Sequence, residues 1–454
     1  MRRVRAGLLV GVFAFLLAIE GVTYLIGVPA TAVVGVLLGL LGAAALVHHR
    51  GARWWRSIPL PLLLFVGLAT VSLLWSAYPA GTALGLLRTW LVVVMALAIA
   101  IEYSWPEIVA GLASALRVVL WVSWLFEIIV AVIFRRPVVA LVPPVGVSPD
   151  ELVDAPKLLQ WSRNELFALF DDGRLQGIVG NATIFAFLAV LGLAVFIAEW
   201  AIAGRGARLV PSLSIGLAVA SLLATKSATA IVAGVVAVVF VGAVLLVRRA
   251  ADGRPRLLTR LAIGTAAILS VVGAIALRSL LLGLLGRSSD LTGRVDIWAT
   301  VLETAWQRPV AGHGWIGYWM PWIEPFDSLV YQHGVRQLQA HSAWVDVMLQ
   351  LGLIGVLVFA TLIVTTVWRA GRLIERAPVG AVALAAPPLA LAGILVAQSF
   401  AESRILVESG LALLVIIAIA GAGAIRSVPG ARPLAHDPRA QEPRLQEPRL
   451  EEPQ

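Results

Sequence analysis

Blocks of roughly twenty apolar residues, separated by short polar stretches, recur along this 454-residue chain and constrain its fold more than any other feature. A block of that length crosses a bilayer as a helix, and it must be helical because no water is available there to bond the backbone. Charged residues make up only 13% of the chain, against about a quarter in a soluble domain. The sequence therefore predicts an all-α, polytopic membrane protein.

The apolar blocks predict about twelve transmembrane helices within one domain, residues 1–425. The first block follows a basic N-terminus but is too long for the core of a signal peptide, so we expect it to be a retained helix. The remaining residues, 426–454, contain QEPRL twice and are rich in proline and charge, which is typical of a disordered tail. The twelve ranges are 6–26, 30–47, 58–76, 83–102, 118–134, 182–201, 210–225, 229–247, 261–278, 350–368, 378–400 and 406–424.

Basic residues in the short loops set the expected orientation. The loops 48–57, 248–260 and 369–377 are rich in arginine, and short basic loops stay in the cytoplasm. Residues 103–117 form a further inner loop in this scheme, and both termini are cytoplasmic. The net charge of +9 is then the ordinary topology bias of a membrane protein, and we expect no nucleic-acid partner.

Two loops that this orientation places outside are long, at about 135–181 and about 279–349. Loops of that length in a compact protein are usually functional or disordered. The second loop contains several tryptophans, which argue against disorder, although some tryptophans could form an interfacial belt. They include Trp298, Trp306, Trp315, Trp319 and Trp322.

Within the second loop, the spacing of apolar residues predicts an amphipathic helix from Arg294 to Gln307, ended by Pro309. Arg294 lies in its first turn, at the membrane surface. On spacing alone, a solvated charge beside a lipid headgroup is the simpler interpretation of this arginine. The apolar positions of the helix are Ile297, Trp298, Val301, Leu302 and Ala305.

His341 is placed at the start of the helix that becomes the tenth span, and we expect it to face the interior of the bundle. Trp344, Val345 and Met348 share its helical face at the spacings i+3, i+4 and i+7. A histidine at the outer mouth of a bundle can act as a general base, because its ordinary pKa lies near neutrality. The alternative is a structural histidine at a helix interface.

Several short motifs, in a fixed order, resemble the O-antigen ligase/polymerase family of membrane glycosyltransferases. The second loop contains T-G-R-x-x-I-W, then P-x-x-G-x-G, then His341 before a helix with the sequence GLIG. Earlier in the chain, LLWSAYPAG, GRLQGIVGNATIFAFLAV and TKSATAIVA resemble family segments. The resemblance extends from about residue 60 to 420 and implies a twelve-helix layout with a large late outer loop.

This resemblance implies an activity. Such enzymes move a glycan from a polyprenyl diphosphate carrier onto an acceptor hydroxyl at the outer face of the membrane. The acceptor is a lipid core for ligases and another carrier-linked unit for polymerases. The resemblance implies no nucleotide sugar, no metal and no other cofactor. The partners expected here are a polyprenyl diphosphate-linked glycan, a glycan or glycolipid acceptor, and membrane lipid.

The resemblance also implies the roles of individual residues. Arg294 matches the arginine of T-G-R, and Arg174 the arginine before the middle spans, so both are expected to bind the donor diphosphate. Lys226 stands where the family has a hairpin arginine, and it is expected to take the same role. His341 would be the catalytic base. Ser342 departs from the family, which often has asparagine after this histidine.

Several alternatives stay open at this level. The sequence does not separate a ligase from a polymerase, and a lipid or polysaccharide exporter is a second class of function. A transporter would place polar residues near the membrane midplane in broken helices, whereas Arg, His and Trp concentrate here on one face. A structural membrane subunit is a third possibility, against which the two long outer loops argue.

The remaining ionisable residues have simpler interpretations. His313, His333 and His341 share a loop, but their spacing resembles no metal motif. We expect Arg336 and Arg404 to form salt bridges or to contact headgroups. Ionisable residues inside membrane spans are functional candidates by default, but pairing between helices is the simpler account for three of them, Glu20, Arg88 and Glu127.

Overall fold

The computed structural model describes residues 2–49, 54–143, 157, 159–249, 264–265, 292–332 and 335–423. The ninth predicted span (261–278), the predicted tail (426–454), His333 and parts of both long loops lie outside the described residues. The first eight helices are α1 Arg2–Leu17, α2 Ile19–His48, α3 Leu60–Val71, α4 Pro79–Glu102, α5 Trp105–Ile129, α6 Ala182–Ile202, α7 Leu209–Thr225 and α8 Ala228–Arg249. The later helices are α9 Thr292–Ala305, α10 Ala343–Arg376, α11 Pro387–Ser399 and α12 Glu408–Gly423.

Most of the described helices have the composition of membrane spans. Within the described residues, seven are long and apolar enough to cross a bilayer, and three shorter helices are also apolar. Extended structure in the same ranges is limited to two antiparallel pairs, Val138–Val139 with Gln160–Ser162, and Tyr331–Gln332 with Val335–Arg336. The all-α polytopic class is confirmed, while the number twelve and the loop topology stay predictions.

The break predicted between the first two spans, 6–26 and 30–47, coincides with Gly27, whose φ of 80° interrupts α2. The first span is also kinked at Ala18, between the end of α1 at Leu17 and the start of α2 at Ile19, although the amides of Ala18 and Val22 keep their helical hydrogen bonds. A Cβ at Gly27 would collide with Val142 of the first long loop. Glycine therefore allows both the bend and the close approach of the loop.

The predicted inner loop 103–117 is wrong, since these residues belong almost entirely to α5. Ser104 and Glu107 form a capping box that starts this helix at Trp105. Arg117, which suggested a loop, lies within the helix and bonds Glu199 of α6 at 2.6 Å. Similarly, α10 runs from Ala343 to Arg376, well beyond the predicted 350–368. In the first case polar residues near a helix end made a continuous helix look like a loop; in the second the basic residues of 369–377 had the same effect, although α10 itself is interrupted at Gly352.

Polar contacts gather at two ends of the helical bundle. At the end that we call the N-terminal end, Arg5 donates to the carbonyl of Glu102, whose carboxylate contacts His49 at 2.6 Å. At the other end, which we call the site end, Arg404 pairs with Glu20. Arg5 and Glu20 are fifteen positions apart, which corresponds to roughly 22 Å along a helix.

The second long loop is a folded layer over the site end. In α9, Ile297, Val301 and Ala305 are buried in a small apolar core, so the face of this helix packs on protein. Trp315 and Trp319 are buried in the loop, in agreement with the expectation of an ordered segment. This layer positions the start of α9 beside the start of α10.

Candidate functional site

The two glycine-containing motifs of the second loop contact each other. Gly352 of GLIG has a φ of 64° and interrupts α10, and the turn of P-x-x-G-x-G fills that break. The amide of Leu353 donates to the carbonyl of Pro309 at 2.8 Å, and the amide of Gly314 donates to Gln350 at 2.9 Å. A Cβ at Gly312 would collide with the backbone of Gln350. The motifs are therefore one tight backbone junction between the loop and α10.

Arg294 is held by a carboxylate that the sequence reasoning did not select. Its Nη2 lies 2.9 Å from Oε1 of Glu402, in the turn between α11 and α12. The arginine side chain is 21% exposed, so it is accessible from outside the protein. This contact uses one of the five N–H donors of the guanidinium group.

His341 contacts the same carboxylate from the other side. Its Nδ1 lies 3.1 Å from Oε2 of Glu402, and its Nε2 lies 3.1 Å from the side-chain oxygen of Gln337. The backbone of His341 has a φ of 51°, in the left-handed region, which costs on the order of 1–3 kcal/mol for a residue other than glycine. Strain of this kind persists where the surrounding structure fixes it, and here it aims the imidazole at Glu402.

Asp346, in the first turn of α10, fixes the backbone on both sides of this pair. Its buried carboxylate accepts a hydrogen bond at 3.1 Å from the amide of Ala340, the residue before His341. It also accepts one from the hydroxyl of Ser403, the residue after Glu402. One side chain thus holds the segments that carry the histidine and its carboxylate partner.

The charge on Glu402 is stabilised by its neighbours. Burial alone would raise the pKa of this carboxyl, but His341 and Arg294 outweigh that effect and hold the pKa below its ordinary value. Gln339 adds a hydrogen bond at 3.2 Å. Glu402 is therefore an anion at neutral pH that can orient both partners.

Arg174 and Lys226 form a second group at the site end, in which each side chain bonds the backbone near the other residue. Nε of Arg174 donates to the carbonyl of Thr225 at 2.8 Å, and Lys226 donates to the carbonyl of Asp171. Lys226 ends α7 with a φ of 47°, so its side chain turns back over the first long loop. The structure brings Arg174 and Lys226 together, and separately Arg294 and His341.

The other ionisable residues are engaged in structural contacts. Arg404 is buried and pairs with Glu20 and with Glu408 of α12, as the salt-bridge interpretation requires, and Arg88 interacts electrostatically with Glu408. The helix-pairing account of Glu127 is wrong. Its carboxylate accepts from Ser162 of the first long loop at 2.7 Å and from two backbone amides of the same loop.

His313, unlike His341, has no carboxylate partner among the described residues. It is buried against the carbonyl of Leu349, 3.2 Å away, and burial lowers its pKa.

Arg336, the other cation considered in this loop, donates to the carbonyl of Pro321 at 2.9 Å. Over the described ranges, no group of three or more His, Asp or Glu side chains is arranged to hold a metal ion.

The central residue of the site, Glu402, was missed because its partners are distant in sequence. Arg294 is 108 positions away and His341 is 61 positions away. One signal was available, since two charged residues, Glu402 and Arg404, lie in the short segment between two apolar helices. A carboxylate in such a turn must find a cation, and Arg294 was already a candidate in the loop above it.

Comparison with known proteins supports the family resemblance over part of the chain. Residues 213–360 match the O-antigen ligase family, a range that includes Lys226, Arg294 and His341 but neither Arg174 nor Glu402. An 89-residue stretch is 29% identical to the exopolysaccharide production protein ExoQ of Rhizobium meliloti (strain 1021). That stretch is 19% of this chain and 20% of ExoQ, so the chain matches about a fifth of the relative's length. These matches confirm the resemblance to the O-antigen ligase/polymerase family that the motifs carry.

Proposed function

We propose that this protein transfers or polymerises a polyprenyl diphosphate-linked oligosaccharide onto an acceptor hydroxyl at the outer face of the cell membrane. The observation that carries the proposal is the chain of contacts from Arg294 through Glu402 to His341. It combines a permanent cation with an oriented imidazole in one accessible site. Similarity to an exopolysaccharide production protein supports a role in surface polysaccharide assembly, as a ligase or as a polymerase.

The cations suit a diphosphate leaving group. As the bond between the sugar's anomeric carbon and the diphosphate oxygen breaks, the electron pair stays on that oxygen, and nearby cations stabilise the developing charge. Arg294 can bind two phosphate oxygens with its planar fork. Arg174 and Lys226 are the further cations that we propose for the donor.

The histidine suits the acceptor. When Nδ1–H of His341 donates to Glu402, the lone pair is on Nε2, which can take the proton of the attacking hydroxyl as its oxygen bonds the anomeric carbon. Glu402 then stabilises the imidazolium that forms. In this tautomer Gln337, whose oxygen lies 3.1 Å from Nε2, must turn its amide NH₂ toward Nε2, because two acceptors cannot bond each other. An acceptor hydroxyl would replace Gln337 there.

The proposal is tested by deleting the gene and analysing the lipids of the resulting strain. We expect polyprenyl diphosphate-linked oligosaccharide to accumulate while surface polysaccharide is lost, and the unaltered gene should restore both. A lipid-linked single repeat unit would identify a polymerase, and a lipid-linked finished polymer would identify a ligase. If the accumulated glycan lies on the cytoplasmic face of the membrane, the protein is an exporter and the proposal is wrong.

A further inference from the structure

A cavity of about 370 Å³ lies between α1, α2 and α4 at the N-terminal end of the bundle. Most of its walls are apolar, with Leu9, Val12 and Leu38 among the side chains that line it. Leu8 and Leu41 also line the cavity and are 40% and 46% exposed. Because the bundle is surrounded by lipid, exposed leucines at this position mean that the cavity opens toward acyl chains.

Only one end of the cavity is polar, and it carries an arginine. Arg5 donates to the carbonyl oxygen of Glu102 and lies 4.8 Å from the ring centroid of Tyr103, and neither of these groups is an anion. The carboxylate of Glu102 is instead in contact with His49. Arg5 thus lines the polar end of the cavity together with His48, Glu102 and Tyr103.

The described segments at this end carry two further arginines. Arg3 lies beside Arg5 in the first turns of α1 and Arg56 follows α2, while the carboxylate that lines the cavity, that of Glu102, is in contact with His49. An apolar cavity with a basic mouth matches an amphiphile that has a hydrocarbon chain and a negative headgroup. A zwitterionic lipid would fill the apolar part equally well but would gain less from the arginines.

We propose that this cavity binds an acyl chain of an anionic phospholipid, whose phosphate is held by Arg5. The site is at the opposite end of the bundle from Arg294 and His341. It is therefore separate from the proposed glycan transfer, and the bound lipid would contact α1, α2 and α4.

The proposal is tested by lipid titration of the purified, full-length protein in detergent. Dioleoyl phosphatidylglycerol and dioleoyl phosphatidylcholine are added separately, and affinity is taken from the rise in Tm with lipid concentration. The number of bound lipids is counted independently by native mass spectrometry. We expect phosphatidylglycerol to bind about tenfold more tightly, as befits one charge-assisted hydrogen bond.

Two variants and two matched controls locate the effect. Arg5→Gln should remove the preference for phosphatidylglycerol, and Ala45→Phe, which fills the cavity, should weaken both lipids. Arg208 is the control for Arg5, because it also bonds a backbone carbonyl and stacks on an aromatic ring, that of Trp200. Leu37→Phe is the control for Ala45→Phe, since Leu37 is exposed on the same helix and does not line the cavity.

Equal affinity for the two lipids in the unaltered protein would overturn the proposal. So would a preference that survives Arg5→Gln, or one that Arg208→Gln removes as completely as Arg5→Gln does. If Ala45→Phe fails to fold, the arginine variants decide the question by themselves.

Discussion

Glu402 sets the electrostatics of the candidate site, because it lies between a permanent cation and an imidazole. A neutral residue here would leave Arg294 without its carboxylate and His341 without the acceptor that orients it. Breaking a buried pair of charges is destabilising because one desolvated charge is left behind. The cost is reduced here, since the arginine and histidine side chains are about one-fifth exposed and solvent screens them.

Glu402→Gln should lower stability in a pH-dependent way. The folded-state pKa of Glu402 is lowered, so its contribution is complete above the ordinary carboxyl value of about 4.3 and is lost as the pH falls through the lower folded value. We expect the variant to be less stable by about 1–2 kcal/mol near neutrality. The gap in Tm between the two proteins should close below about pH 4. A gap of the same size at pH 3 and pH 7 would show that the charge on Glu402 does not stabilise the fold.

Asp346→Asn should impair transfer more than it impairs folding. The isosteric amide weakens the hydrogen bonds to Ala340 and Ser403, so His341 and Glu402 lose their fixed separation. A misplacement of about 1 Å can lower a rate about a hundredfold, while affinity for undecaprenyl diphosphate should be unchanged, since the proposed donor-binding residues are cations. Rates and binding are measured on the same preparation.

A matched control for Asp346 exists in the same helix. Gln350 is also buried and holds two backbone amides of the second loop, at 2.8 and 2.9 Å, but it touches neither segment of the pair. Gln350→Met should therefore lower Tm without a comparable loss of rate per folded molecule. If both variants lose rate in proportion to Tm, Asp346 is only a structural residue.

At the scale of elements, the first long loop is fastened to the end of α7 by reciprocal contacts. Arg174 bonds the carbonyl of Thr225, and Lys226 bonds the carbonyl of Asp171. Each cation thus stabilises the backbone beside the other. The loop and the start of α8 act as one unit in presenting positive charge at the site end.

Arg174→Ala should loosen this unit and weaken donor binding together. We expect faster hydrogen exchange in the described part of the loop, 159–181, and a loss of about tenfold in affinity for undecaprenyl diphosphate, the loss typical of one charge-assisted hydrogen bond. Arg163→Ala is the control, because Arg163 bonds the carbonyl of Lys157 in the same loop. Unchanged affinity in Arg174→Ala would separate this arginine from the donor site.

Apolarity located the helices well, but it failed where polar residues continue a helix. The run 105–117 looked like a loop because it contains Glu107 and Arg117, yet one is a cap and the other an ion pair with Glu199. Such pairing is not visible in a hydropathy pattern. For the same reason the motifs placed Arg294 and His341 in one loop, whereas the carboxylate between them could be found only from the fold.

For the whole molecule, the two polar ends define which residues should share a side of the membrane. Ser328 lies in the second long loop and Gly206 lies between α6 and α7, and both are exposed. Because the chain contains no cysteine, Ser328→Cys and Gly206→Cys each introduce a single thiol. We expect a membrane-impermeant maleimide to label position 328 in intact cells and position 206 only after permeabilisation. The reverse pattern would place the candidate site in the cytoplasm.

The measurement that tests the central claim most directly is glycan transfer by His341→Ala in proteoliposomes. The donor is the lipid-linked oligosaccharide that accumulates in the deletion strain, and the reaction is run with chelator and without added metal. We predict a rate about a hundredfold to ten-thousandfold lower than that of the unaltered protein, with undecaprenyl diphosphate binding retained. Normal transfer by His341→Ala would contradict the account. Loss of transfer by the unaltered protein when chelator is added would contradict it as well.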